Sequence, residues 1–570
     1  GRPKLLLYRR LEINSWKNSR NSINSNPMIL PKSLQKSTKM SYSKMLQFLF
    51  VLLFSISWAS AAHRSHEDFV QCLLHHSENP SAFSKLIFTQ NNSSYSSVLD
   101  FYIQNSRFFA PNVPKPKVII TPNIEPQIQT ALFCSKKHGL QMRIRSGGHD
   151  FEGSSFISDA PFFVLDMFNF RSISVDVKSR TAWVGAGATL GETYYNIYAA
   201  NSSLAFPAGY WPTVCIGGHI SGGGYGPLTR QFGLAADNVI DARVIDVNGR
   251  ILNRKSMGED LFWAIRGGVG ANFAIILGYK LKLAEVPDKV TTFSINRTLE
   301  QNATQLVHKW QYVTTELPLN LIVSLQFASI DSNQTGKRTI QVTFMSVFRG
   351  KVDELLSIMN QQFPELGLKK EDCKEMLWIQ YFPYHVGQPI GNIKEFLTSR
   401  IPPAKPYFKA KADFVKKPIP IKGLEEIWKQ LNEVPPLIGQ MEWTPYGGGV
   451  MDTIPESAIP FPHRGNLFIM FEVVYWNATN QEVVSKERIN WLRVLHKIIG
   501  KYVPSKPRAA YADYRDLDLG VNNKEKTSVE KARIWGAPYF KNNFDRLVKV
   551  KTEVDPYDFF KNEQSIPTFH

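Results

Sequence analysis

Apolar positions along the chain alternate between strand-like and helix-like spacing from about residue 118 onward. Residues 118–121 are a β-branched run, and residues 124–138 carry their apolar side chains at helical spacing. Segments 162–166 and 181–186 read as strands. Thr189-Leu190-Gly191-Glu192 has the form of a capping box and opens a helix containing Tyr194 to Ala200. Runs 239–247 and 251–253 flank Asn248-Gly249, a strong hairpin signal. Glycine-rich loops interrupt this α+β mixture until Val286-Pro287. From there to about residue 495 the pattern is strand-rich (322–328, 339–348, 467–475), with helices such as 352–363. This stretch is taken as a second lobe. The segment from Tyr511 to Pro567 is dense in Tyr, Arg, Asp and Asn, and is expected to pack back onto the rest.

A separate reading applies at the N-terminal end. Residues 46–56 are an apolar run preceded by Lys39 and Lys44 and followed by Ala59-Ser60-Ala61, the layout of a signal peptide. The run is shorter than the roughly 20 residues a membrane span needs. Residues 40–61 are therefore expected to be a signal cleaved after Ala61, and 1–39 a leader or artefact. The expected organisation is a first lobe over 62–285, a second over 286–495, and a segment 496–570 returning to the first.

Composition and charge refine this picture. Apolar residues make up 43% and charged residues 20%, enough for a sizeable core. The net charge is +18, but residues 1–61 hold ten Lys/Arg against Glu12 alone, which leaves +9 for the body. No dense basic run with interleaved aromatics exists, which argues against a nucleic-acid partner. A mildly basic body suits an anionic cofactor. Secretory targeting implies an extracellular or vacuolar protein with no stable membrane anchor. In that setting Cys72, Cys134, Cys215 and Cys373 allow three complete pairings. Some of the sequons at Asn91, Asn92, Asn201, Asn296, Asn302, Asn333 and Asn477 are expected to be glycosylated.

Three glycine-rich blocks carry the candidate chemistry. In Arg143-Ile144-Arg145-Ser146-Gly147-Gly148-His149-Asp150 the glycines permit close backbone approach, their N–H groups can form an anion nest, and the arginines suit a pyrophosphate. Residues 217–226 hold six glycines in ten positions, costly in entropy for a mere linker. Arg266-Gly267-Gly268-Val269-Gly270 repeats the theme. None fits the Walker or Rossmann signatures, which leaves a dinucleotide bound in another mode.

The segments RSGGHDFEGSS, GATLGE, GGHISGGGYGPLTRQFGLAADNVID, GEDLFWAIRGG, YRDLDLG and YFKNNFDRLVKVKTEVDPYDFFKNEQSIP resemble the berberine bridge enzyme-like family, with a likeness to the cannabinoid synthases. The resemblance implies a two-lobed α+β fold of the vanillyl-alcohol-oxidase type. Its first lobe and tail bind FAD, and an antiparallel sheet forms the substrate lobe. It also implies a Cys72–Cys134 disulfide and FAD bonded covalently through His149. The cofactor site carried over comprises Arg145, Ser146, Gly147, Gly148, Asp150, Trp211, Thr213, Ile216, Gly217, Gly218, His219, Ser221, Gly222, Gly224, Tyr225, Ile240, Tyr511 and Asp513. Trp211 stands where many members carry a second flavin-linking cysteine, so that bond is expected to be absent and Cys215 to be a lone buried thiol. Ile216 is assigned as the oxygen gate, which points to a dehydrogenase rather than an oxidase. Tyr514 is the expected base, aided by Arg515; Glu472 competes for that role and Tyr446 lines the same pocket. Asp513 replaces a usual asparagine, and Gln326 a histidine of the cannabinoid synthases. No metal is expected. The implied function is oxidation, with or without cyclisation, of a phenolic or prenylated small molecule by a monomer that passes electrons to O₂ or another acceptor. The alternatives are a non-redox Diels–Alderase, a carbohydrate or alcohol dehydrogenase, and a secreted flavin-binding protein of low turnover.

Overall fold

The structure, a computed structural model, describes residues 66–332, 336–402, 404–477 and 481–569. The expected leader, the signal segment and the Asn333 sequon lie outside these residues. The first lobe holds two main sheets and a short two-stranded pair, Leu204–Ala205 with Ala284–Glu285. One has four strands, ordered Ile87–Thr89, Val118–Ile120, Phe162–Asp166 and Gln141–Arg145, the last three mutually parallel. The other is an antiparallel sheet of five strands, ordered Ile173–Asp176, Thr181–Gly185, Ile275–Lys282, Val239–Ile245 and Ile251–Leu252.

Local chemistry sets these elements. Helix Glu125–His138 ends at Gly139, whose φ of 66° is the left-handed conformation that terminates helices. Helix Leu190–Ala200 begins with the reciprocal bonds of a capping box: Thr189 Oγ1 accepts from Glu192 N–H at 3.1 Å, and Glu192 Oε2 accepts from Thr189 N–H at 2.9 Å. Asn248-Gly249 turns the hairpin between strands Val239–Ile245 and Ile251–Leu252. Cys72 and Cys134 form a disulfide that ties helix 66–75 to helix Glu125–His138.

The second lobe is built on an antiparallel sheet of seven strands, ordered Cys373–Leu377, Lys289–Thr298, Arg338–Phe348, Leu321–Asp331, Gly439–Pro445, Phe468–Trp476 and Tyr407–Val415. Successive side chains point to opposite faces. One face (Leu325, Phe327, Met441, Trp443, Met470, Val474) packs on helices Ala303–Val313, Ile421–Leu431 and Gln481–Ile499 in one apolar core. The other face supplies Ile322, Val347, Phe414 and Ile469 to the core of the first lobe. Helix Gln481–Ile499 buries Leu492, Leu495 and Ile499 against the sheet, so the expected boundary at 495/496 falls inside it. Helices Val529–Phe540 and Asn543–Val554 of the tail bury Trp535, Tyr539, Phe544 and Leu547 in the first-lobe core.

Candidate active site

The strand Gln141–Arg145 delivers the Ser146-Gly147-Gly148-His149 turn to the interface of the lobes. Gly148 has a φ of +65°, and a Cβ there would stand 2.1 Å from the Tyr102 carbonyl oxygen, so only glycine fits. His149 Nε2 lies 3.0 Å from Thr213 Oγ1. Burial pushes its imidazole down to about 4, with Thr213 opposing and Lys405 adding to the shift, which keeps the ring neutral near pH 7. A neutral imidazole has the free lone pair that bonding to an electrophilic carbon requires. Asp150 Oδ1 accepts from the Glu152 and Ser154 amides, and Oδ2 from Arg515 Nε at 2.9 Å.

The glycine stretch after Cys215 is not the open loop expected from composition. Residues Ile216–Gly222 form a helix, followed by Gly223 and Gly224 at positive φ. Tertiary packing overrides the poor helix propensity of glycine: a Cβ on Gly217 would meet Ser146 Oγ at 2.6 Å. Gly218 is exposed with nothing within 4 Å of a notional Cβ, so this helix presents bare backbone to open space. His219 Nε2 accepts from Gly209 N–H at 3.0 Å, and Ser221 Oγ donates to the Gly217 carbonyl at 2.6 Å.

Several assigned residues sit elsewhere. Arg145 is fully buried and spent on Asp166 and the carbonyls of Val98 and Leu99, while Arg143 binds Glu563 and the Lys561 carbonyl. Both guanidiniums are engaged within the protein, Arg145 with the buried Asp166 and Arg143 with the half-buried Glu563, rather than held open for a pyrophosphate. Ile240 stands exposed on its strand. Ile216 is fully buried with its amide bonded to the Ala188 carbonyl, so it does not border the cleft as a gate must. Val214, next to Thr213, is the half-exposed apolar side chain of this segment. Trp211 is likewise half-buried. The Cys215 thiol turns away, 3.4 Å from the Gly187 carbonyl and 3.8 Å from Arg400, and burial pushes it up to about 12.

Tyr514, on the short turn Ala512–Tyr514, does face the cleft. Its hydroxyl is 2.6 Å from that of Tyr225, and its ring stacks on Phe151 at 5.2 Å and meets Phe471 at 4.8 Å. Arg515 is no help to its phenolate, being paired with Asp150. Burial first, then Glu442 and Asp513, drive the Tyr514 pKa upward, so the phenol stays protonated at neutral pH. Tyr511 links the tail to the glycine block: its hydroxyl accepts from Gly224 N–H at 2.8 Å and donates to Asp513 Oδ2 at 2.7 Å.

Strand parity separates the carboxylates. Glu472 lies with Met470 and Val474 on the helix-covered face, fully buried, with Oε2 3.0 Å from His496 Nδ1. It does not share a pocket with Tyr514. Tyr446 is buried too, its hydroxyl donated to the His463 carbonyl in a cluster with Phe414 and Phe461. The carboxylate on the cleft side is Glu442, in register with Gln326 on one neighbouring strand and Phe471 on the other. Burial raises its pKa, with Thr444 and Gln326 opposing, and its charge in turn raises Tyr210, Tyr225, Tyr381 and Tyr514. Sequence reasoning missed Glu442. The signal that finds it is its pairing with Gln326, already singled out as unusual.

Ion pairs lock the site together. Asp516 receives Lys409 at 2.7 Å and Lys411 at 2.5 Å, Lys409 also binds Glu152, and Lys411 reaches Asp518 at 2.8 Å. The His149 turn, the Tyr514 turn and the edge strand Tyr407–Val415 are thus clamped as one unit.

These features fit FAD. The bare backbone at Gly218, the neutral His149, and the Tyr511–Asp513 pair make a cradle for a flavin nucleotide whose phosphates would meet backbone amides rather than arginines. When bound, the flavin supplies a hydride acceptor. Residues 116–254 match the FAD binding domain family and residues 510–567 the berberine and berberine like family. Tetrahydroberberine oxidase of Argemone mexicana is 47% identical over 538 residues, 92% of this chain and 96% of its own length. The solved structure of BBE-like #28 from Arabidopsis thaliana superposes with a TM-score of 0.82 at 44% identity, covering 89% of this chain and 100% of that one. Wild-type Phl p 4.0202, described as a glucose dehydrogenase, gives 0.81 at 40% identity over 88% of this chain and 99% of its own, and an isoleucine-to-valine variant of Phl p 4, described as a glucose oxidase, matches equally at 41%. With the glycine cradle, the returning tail and relatives along nearly its whole length, this chain belongs to the berberine bridge enzyme-like family of FAD-binding oxidoreductases.

Proposed function

We propose that this enzyme oxidises a phenolic or prenylated small molecule by hydride transfer to FAD, with Glu442 taking the accompanying proton from a substrate hydroxyl. The observation that carries the reading is a sheet-face carboxylate among aromatic walls. Glu442 shares its sheet face with Gln326 and Phe471, opposite the bonded Tyr514–Tyr225 hydroxyls. Tyr210, stacked on His385 at 4.1 Å, extends the wall. Flat rings suit flat substrates, and a carboxylate whose pKa burial has raised is a stronger base than an ordinary one. Tyr514 and Tyr225, held protonated, orient the hydroxyl by hydrogen bonding instead of deprotonating it.

Attachment of the flavin through His149 alone is supported by its neutral imidazole and by Cys215 facing Arg400. Val214 supports reaction with O₂: a valine at the cleft leaves more room than isoleucine, and one such exchange accompanies oxidase activity in Phl p 4. The Cys72–Cys134 bridge supports an oxidising compartment, in keeping with secretion.

The test is anaerobic mixing with a panel of phenols, prenylated phenols and sugars, followed by flavin bleaching. A phenol should bleach the flavin, and Glu442→Gln should slow bleaching by about 10²–10⁴-fold with an acid limb lost from the pH profile. Because the base must be ionised, the wild-type rate should fall as pH drops through the raised Glu442 value. Bleaching by sugars alone would refute the substrate class, and an unaffected Gln variant the base.

A further inference from the structure

Asp513 is a buried-cleft carboxylate that the proposed chemistry does not use. It sits on the turn Ala512–Tyr514 and is pressed against the last residue of the glycine helix: a Cβ on Gly222 would lie 2.0 Å from Asp513 Oδ1. That places its charge at the C-terminal, partially negative end of the helix, where an anion is disfavoured. Among the described residues only the Tyr511 hydroxyl donates to it, at 2.7 Å to Oδ2, and that hydroxyl is itself committed to Gly224 N–H. The nearest guanidinium, Arg515, is turned to Asp150. The residue is half-buried and lies against Gly222, about one helical turn from the exposed backbone of Gly218.

Resting on the reading of an FAD-bearing cleft, we propose that Asp513 couples electron uptake by the flavin to a proton of its own. Ionised, it places a second negative charge beside a group that becomes anionic on reduction; protonated, it removes that charge and gains a donor. Hydride transfer brings two electrons and one proton to the flavin, Glu442 takes the proton of the substrate hydroxyl, and Asp513 takes its own proton from solvent, so the step balances. The environment favours a carboxyl that titrates near physiological pH. Burial pushes it up to about 7, with Tyr511 and Arg515 opposing and Asp150 adding to the rise. The other titratable groups facing it, Tyr279 on strand Ile275–Lys282 and Tyr511 and Tyr514 on its own segment, are phenols held protonated by burial.

The experiment is spectroelectrochemical titration of the flavin-loaded protein between pH 5.5 and pH 9, with its visible spectrum recorded first. In the wild type, the midpoint should fall more steeply near and above pH 7 than below it. One extra proton per two electrons is a tenfold change per pH unit, about 30 mV. Asp513→Asn, which keeps the shape and can still accept from Tyr511, should lose that extra slope and have the higher potential at alkaline pH. Tyr511→Phe removes the donor that favours the carboxylate and should move the break to higher pH. Wild-type and Asn proteins with parallel profiles would overturn the inference, whereas a purified protein with no flavin spectrum would overturn the cofactor reading beneath it.

Discussion

Replacing Glu472 by Gln separates a structural carboxylate from a catalytic one. Glu472 and Asp413 are both buried and converge on His496 Nδ1, at 3.0 and 3.2 Å, with Arg508 completing the cluster on Asp413. Burial alone would lower the His496 pKa, but the two carboxylates overcome it and hold the ring up to about 9 from an ordinary 6.5. At about 1.4 kcal/mol per pH unit, this amounts to roughly 3 kcal/mol of stability. The figure is an upper bound, because burying Glu472 raises its own pKa and offsets part of the gain. A histidine whose folded value is raised contributes fully below pH 6.5, and the contribution is lost as pH climbs through 9. The glutamine variant should therefore be about 1–2 kcal/mol less stable at neutral pH, less than the full value because a buried charge has also gone. Near pH 10 the gap should close or reverse, since Glu472 then lacks its cation. Denaturant melts at pH 6, pH 7.5 and pH 10 measure this, alongside stopped-flow flavin reduction, which should change little. A rate loss of about a hundredfold or more with unchanged stability would show that Glu472 acts on substrate and that the face assignment is wrong.

Other expectations are simpler. His149→Ala should let acid precipitation release the flavin, whereas the unchanged protein should stay yellow and yield one flavin peptide, containing His149 and not Cys215. Val214→Ile should slow reoxidation by O₂ while leaving reduction by substrate intact, and Ile216→Val, acting in the core, should lower stability by about 1 kcal/mol without that kinetic signature. Oxygen consumption after a single turnover distinguishes the two. Cys72→Ser with Cys134→Ser opens a loop with a sequence separation of 62, for which chain entropy predicts a loss of about 4 kcal/mol in a denaturant titration.

The parts of the molecule written in local sequence were legible. The Thr189–Glu192 capping box, the Asn248-Gly249 hairpin and the long antiparallel strands appear where local pattern put them. Tyr514 lies against Tyr225 and Phe471. What failed depended on partners far away in the chain. Arg143 finds Glu563 across 420 positions, so no local motif could reveal that its charge is spent. Glu442 and Glu472 look alike in sequence, each in a β-branched and aromatic run. Met441 pairs with Glu472, so Glu442 faces the cleft and Glu472 the helices. A register shift of one residue would exchange them. The helix Ile216–Gly222 was hidden because its composition argues against helicity, and only the close approach of Ser146 and Ala186 explains it.

The clamp of Lys409, Lys411, Glu152 and Asp516 has a consequence for biogenesis. Asp150 is held by Arg515, 365 positions later, and Glu152 is joined through Lys409 to Asp516. During vectorial synthesis the His149 turn emerges long before the residues that fix it. The flavin pocket is therefore assembled last, when residues 513–518 have left the ribosome, and nascent chains shorter than this should remain colourless. Cofactor capture then works as a checkpoint, marking with yellow colour only those molecules whose two ends have already met.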